Sequence, residues 1–98
     1  MKYMIKRHIN SSRLFLNVVD INLKGKIIED KKAKIDLSKE YYDGTEMEEK
    51  TLLKMFEEAF SIQFIGNESV ELGIKQGIID NFSEIGKIKY TFYLRTTF

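Results

Sequence analysis

Residues 64–79 read FIGNESVELGIKQGII: an apolar pair, a glycine, a polar helix start, a helical run and a second glycine. No other stretch narrows the possible folds as far. Asn67 is a good N-cap residue, Glu68 and Glu71 suit the positive start of a helix, and Gly77 suits the position just past its end. The spacing predicts a helix over 67–76, with Glu71 and Lys75 in the favourable i, i+4 order. Val70, Gly73, Ile74 and Gly77 share one face. A glycine inside a helix costs about 1 kcal/mol relative to alanine, so Gly73 implies close approach of a neighbour. A glycine between an apolar run and a helix is also how phosphate cradles begin. Here Glu68 and Glu71 would set two carboxylates against a bound phosphate, and there is no P-loop lysine or G-x-G-x-x-G run. The stretch therefore reads as the hinge of a capped helix that packs back on a sheet.

The rest of the chain supplies that sheet. KYMIKRHI and RLFLNVV flank Asn10-Ser11-Ser12, which is turn chemistry, and predict a β-hairpin. LKGKII and AKIDL flank EDKK and predict a second, shorter one, with Ala33, Ile35 and Leu37 alternating against Lys34 and Asp36. SKEYYDGT is a loop turning at Asp43-Gly44. Thr45 to Glu48 has the form of a capping box. Leu52, Leu53, Phe56, Ala59 and Phe60 follow at helical spacing, which predicts a helix over 46–60. Its other face carries Glu49, Lys50, Lys54, Glu57 and Glu58. SIQFI reads as a short strand or as the connection leaving that helix. In KIKYTFYLR, Ile88, Tyr90, Phe92 and Leu94 alternate against Lys87, Lys89, Thr91, Tyr93 and Arg95, the clearest strand signal present. The expected fold is a single α+β domain over 1–98. Its mostly antiparallel sheet would comprise the N-terminal hairpins and the C-terminal strand, packed against two helices.

Ninety-eight residues suffice for one core. At 43% hydrophobic and 32% charged, with only short apolar runs, the composition is that of neither a disordered nor a membrane-spanning chain. MKYMIKRH lacks the apolar core of a signal peptide, which leads us to expect a cytoplasmic protein. With no cysteine, disulfide scaffolds, thiol nucleophiles and thiolate zinc sites are excluded. His8, the lone histidine, has no carboxylate nearby in sequence to orient it. No carboxylate set has metal-ligand spacing, and no serine sits in a nucleophile elbow. We therefore expect no cofactor, no metal and no catalytic residue, with an uncharacterised enzyme as the third-ranked reading.

Charge gives the more useful signal. Residues 1–34 hold nine Lys/Arg against three acids, residues 35–82 four against eleven, and residues 83–98 three against one. If the first and last strands share a sheet, Lys6, Arg7 and His8 would stand beside Lys87, Lys89, Tyr93 and Arg95, with Arg13 extending the patch. Cations interleaved with an exposed tyrosine suit a phosphate backbone and an occasional stacked base. The alternative is a protein–protein module or homodimer, joined along the aromatic C-terminal strand, in which the lysines keep a strand face soluble. The acidic helical side would face solvent or a basic protein.

LKGK (23–26), IDLSKEYYDG (35–44), EEAF (57–60) and above all FIGNESVELGIKQGII resemble the archaeal family catalogued as domain of unknown function 424. The matching positions are Gly25, Tyr42, Gly44, Gly66, Glu68, Val70, Glu71, Leu72 and Gly77. Most read as turn or packing residues, whereas Tyr42, Glu68 and Glu71 would be free to face a partner. The end departs from the family, because IGKIKYTFYLR has neither the proline nor the histidine of its closing stretch. The resemblance implies a compact cytoplasmic archaeal α+β protein and a link to translation. The expected function is accordingly that of a non-enzymatic accessory that binds RNA or a ribosomal particle through basic strand faces.

Overall fold

A computed structural model describes residues 1–96. Along them run β1 (Lys2–Asn10), β2 (Arg13–Asp20), β3 (Ile27–Glu29), β4 (Lys34–Asp36), β5 (Thr45–Glu48), α1 (Glu49–Glu58), β6 (Ala59–Ile65), α2 (Asn67–Lys75), β7 (Ser83–Ile85) and β8 (Ile88–Leu94). Six strands form one sheet in the order β5-β1-β2-β6-β8-β7, while β3 and β4 pair separately. The α+β class holds. The sheet, however, is mixed, because β2 and β6 run parallel among otherwise antiparallel neighbours. The second hairpin forms as expected but lies outside the main sheet.

Local chemistry accounts for most elements. The β1–β2 loop is two residues long, and Ser11 (φ 52°) and Ser12 (φ 63°) both adopt the left-handed conformation. That is the type I′ geometry matching strand twist. SIQFI belongs to a full central strand, β6, in which Ala59, Ile62, Phe64 and Ile65 are all buried. Ser61 and Gln63 alternate with the buried Ile62 and Phe64, and the strand extends beyond SIQFI through Ala59 and Phe60.

Thr45 to Glu48 does not form a capping box. These residues pair with Lys2–Ile5 as β5, and the Glu49 amide donates to the Met1 carbonyl at 3.1 Å. Met47 packs on the core while Glu46 and Glu48 are exposed, the alternation of an edge strand. Ladder pairing with β1 satisfies more main-chain groups than a reciprocal cap does. Helix α1 therefore spans Glu49–Glu58 rather than 46–60, and Ala59 and Phe60 open β6.

The sheet is covered on both sides. On one face Tyr3, Ile5, Leu16, Val18, Ile62 and Phe64 pack against Leu52 and Phe56 of α1 and Val70 and Leu72 of α2. On the other, Met4, Val19 and Ile65 meet Leu23, Ile28 and Leu37 from the β3–β4 region. Gly73 is where the close approach occurs: a Cβ there would lie 2.8 Å from Ile79 Cδ1 and 3.0 Å from Phe64 Cζ. Ile74, which shares the helical face read from the sequence, is instead 41% exposed. The buried stripe runs through Ser69, Val70, Leu72 and Gly73.

Candidate functional site

The β3–β4 hairpin covers only the end of the sheet that carries Met4, Val19, Ile65 and Tyr90. Beyond it the same face continues in two rows set by register. Lys6, Asn17, Gln63 and Phe92 form one row, and His8, Phe15, Ser61 and Leu94 form the next. Alternation adds the paired residues Asn10 and Arg13. None of these ten strand residues is a carboxylate. Phe92 is 68% exposed and Leu94 48% exposed, so the β8 edge of this half-face is apolar and open.

Its β1 side is organised around Tyr41. The His8 imidazole stacks on the Tyr41 ring with centroids 4.4 Å apart and planes 15° from parallel. His8 Nε2 lies 3.1 Å from the Tyr41 carbonyl oxygen and 3.2 Å from Asn17 Nδ2, which itself donates to that carbonyl at 3.0 Å. The imidazole nitrogen thus sits between an acceptor and a donor. Asn17 is buried, and this pairing is what lets an amide sit there. Next to it, burial pushes the Tyr42 phenol above its ordinary range, helped by Tyr41 and opposed by a hydrogen bond with Gln63. At the hairpin end, Arg13 lies 4.4 Å above the Phe60 ring, which meets Phe15 edge-on at 5.6 Å. The surface combines cations on its β1–β2 side with amides across its middle and apolar side chains along β8.

The predicted basic patch is split. Lys6, His8 and Arg13 share the open half-face, whereas Arg7 alternates onto the helix side. Strands β1 and β8 do lie in one sheet, but β2 and β6 separate them, roughly 14 Å at ordinary strand spacing. Lys89 lies on the opposite side of the sheet from Lys6: it alternates with Ile88 and Tyr90, and its ammonium sits 4.6 Å above the Phe82 ring. Lys87 is exposed in the β7–β8 turn. Tyr93 packs on the helix-side core, where it helps line an open cleft with Leu53, Phe56, Gln76 and Ile78. Arg95 is engaged by the backbone, donating from Nε to the Ala59 carbonyl at 3.1 Å and from Nη2 to that of Glu57 at 2.8 Å. A guanidinium at the end of α1 satisfies its last carbonyls and complements the helix dipole. Of the eight residues expected to form the patch, three stand together.

The strand residues that complete the half-face are Asn10, Phe15, Asn17, Ser61, Gln63, Phe92 and Leu94, with Tyr41 added from the loop. Strand periodicity places Phe92 and Leu94 on the side of Ile88 and Tyr90, which predicts burial for all four. The hairpin reaches the first pair and stops short of the second.

A sequence model of the family described as "Protein of unknown function (DUF424)" matches residues 8–95. The chain belongs to the DUF424 family. A solved structure, the crystal structure of an uncharacterized conserved protein from Methanopyrus kandleri, is similar with a TM-score of 0.78 and 20% identity, over 100% of this chain and 97% of that one. At that identity the likeness carries the fold alone. No curated protein matches the chain.

In this DUF424 chain the family's most specific stretch turns out to be architecture. Asp20, at the end of β2, accepts the Ser69 amide at 2.7 Å, the Ser69 hydroxyl at 2.6 Å and the Glu68 amide at 3.1 Å. An internal carboxylate thus occupies the place where a phosphate would bind, which answers the question raised by Gly66. Gly66 takes φ 114°, and a Cβ on it would collide with that carboxylate. Asn67 is not the cap; its Oδ1 accepts the Lys89 amide at 2.9 Å, joining α2 to β8. Gly77 (φ 72°) ends α2 as expected, and Gly44 lets the loop backbone lie against Ile5, where a Cβ would strike its carbonyl. Tyr42 packs half-buried under the half-face, while Glu68 and Glu71 flank the phenol of Tyr3 on the other side of the sheet. Among the described residues no group of three or more His, Cys, Asp or Glu is placed to hold a metal, and no helix is long and apolar enough to cross a membrane.

Proposed function

We propose that this DUF424 protein is a non-enzymatic RNA-binding accessory, working on single-stranded RNA or an exposed segment of a ribosomal particle. The half-face, with Phe92 at its β8 edge, is the contact surface. The observation that carries the reading is the composition of that surface: ten strand residues with no carboxylate, Lys6 and Arg13 on its β1–β2 side and a ring 68% exposed on β8 at the opposite side. Bases stack on exposed rings with little sequence preference, and flanking cations meet the phosphates. This replaces the patch expected across both chain ends. Lys87, Lys89, Tyr93 and Arg95 drop out of the contact set, and Phe92, Phe15 and Tyr41 enter it.

Fluorescence anisotropy with a labelled single-stranded oligoribonucleotide at low salt tests the proposal. Phe92→Ala is expected to weaken binding about tenfold, the loss of one stacked base. Lys6→Glu and Arg13→Glu are expected to weaken it further, whereas Lys87→Glu has little effect. No binding at low salt, or equal losses from Lys6→Glu and Lys87→Glu, would overturn it. Sedimentation of a native lysate through a sucrose gradient then distinguishes the targets, since ribosome association shows as co-migration that disappears at high salt.

A further inference from the structure

We propose that the outer edge of β8 pairs with the same edge of a second copy of this chain, giving a two-fold dimer with one continuous sheet. The inference stands independently of RNA binding. On its outer side β8 is met by β7 only at Ile88, Lys89 and Tyr90; among the described residues no strand pairs with Thr91–Leu94 there.

Hydrogen bonding shows which main-chain groups that edge presents. The Arg95 amide donates to Phe60 and the Lys89 carbonyl accepts from Gly66, so odd-numbered residues of β8 face β6. The N–H and C=O groups of Phe92 and Leu94 therefore point outward. In an antiparallel two-fold pair, facing residues lie on the same side of the sheet and their numbers have a constant even sum. Centring the axis on Phe92 would set Leu94 against Tyr90, whose outer side is already taken by Ser83 of β7. Centring it on Tyr93 sets Phe92 of each copy opposite Leu94 of the other, with the pairing ending where β8 ends, at Leu94, before Thr96 would face the occupied Tyr90. Both are outward-pointing residues, so each such pair exchanges two main-chain hydrogen bonds and the seam holds four.

Side chains favour the same occupant. Phe92 and Leu94, two of the most exposed large apolar side chains, meet their counterparts across the axis on one face. Thr91–Leu94 carries no charge, so no like charges oppose one another at the seam. The edge also lacks the lysine, proline or bulge that normally discourages pairing. The Arg95 guanidinium is turned back to Ala59 and Glu57. A two-fold pair closes on itself and leaves no growing filament.

Sedimentation velocity on nuclease-treated protein over a concentration series provides the test. The wild type is expected to shift from monomer to a species of about twice the mass. Leu94→Pro removes one outward N–H at a position where an edge strand tolerates proline, and Leu94→Lys places a charge at the seam. Both are expected to remain monomeric while keeping a native far-ultraviolet circular dichroism spectrum. A wild type that stays monomeric up to about 1 mM, where even a weak dimer would be populated, overturns the proposal. Dimers of undiminished stability in either folded variant also overturn it.

Discussion

Asp20 is the residue on which the turn into α2 depends. Its carboxylate takes two backbone amides and one hydroxyl, all from the helix start, and it is itself buried. Asp20→Ala would leave those donors without partners inside the protein, at an expected cost of about 2–3 kcal/mol in urea unfolding. Gly66→Ala should cost at least about 2 kcal/mol, from a φ that only glycine adopts readily and from the collision with the carboxylate. Since the collision needs both side chains, Gly66→Ala should cost less in the Asp20→Ala background, and a double-mutant cycle would register the difference. Tyr3 supplies a separate, pH-dependent contribution. Burial, aided by Glu49, Glu68, Asp20 and Glu71, raises its phenol from 10.0 to about 12. The folded state holds the proton more tightly than the unfolded state. Stability from this group is therefore complete below pH 10.0 and declines as pH rises towards about 12. Tyr3→Phe should accordingly lose stability less steeply than the wild type over that interval, as followed by urea unfolding at successive pH values.

Among the elements, the β1–β2 hairpin carries a local conflict. Ser11 and Ser12 both sit at positive φ, where a residue with a Cβ is disfavoured by on the order of 1 kcal/mol. Replacing the pair by Asn-Gly, which the type I′ turn prefers, should raise stability by about 1 kcal/mol and shift the thermal midpoint upward. The hairpin itself was legible because its turn chemistry and its two apolar runs agree. The length of α2 and its Gly77 stop were legible for the same reason: spacing and terminator lie within a dozen residues. What could not be read depends on contacts far apart in sequence. Thr45 to Glu48 suits both a capping box and an edge strand, and the unpaired side of β1 decides between them. Asp20 replaces Asn67 as the cap from 48 residues upstream of Glu68, a distance no local pattern spans. At the site, alternation placed Phe92 and Leu94 on the correct side of β8. Their exposure follows from where the β3–β4 hairpin ends, which periodicity does not encode. Lys6 and Lys89 were each read correctly as strand residues, but the strand order and side of the sheet that part them are properties of the assembled fold.

At the scale of the whole molecule the sheet separates two chemistries. The helix side carries Glu57, Glu58, Glu68 and Glu71, all exposed, while the open half-face carries no strand carboxylate. A net charge of +1 gives little long-range attraction for a polyanion, so binding must come from this local arrangement and from stacking. Lys6 and Arg13 are the lysine and arginine among the half-face strand residues, which limits each copy to about two phosphate contacts. For a single strand this predicts a log–log salt slope of roughly −1.4 per copy. Edge pairing through β8 would place two half-faces side by side on one surface, with a Phe92 on each side of the axis. An RNA long enough to cross the seam then meets four cations, and the slope steepens to roughly −2.8. Its affinity also gains from the high effective concentration of the second site. Leu94→Pro separates the copies without adding charge, so it should return the slope for long oligonucleotides to the single-copy value and remove their advantage over short ones. Because Leu94 belongs to the half-face itself, short oligonucleotides give the direct loss from the substitution, and only the additional loss for long ones reads the seam. Equal slopes for long RNA on both proteins would mean that the two half-faces never act as one surface, even if each binds RNA alone.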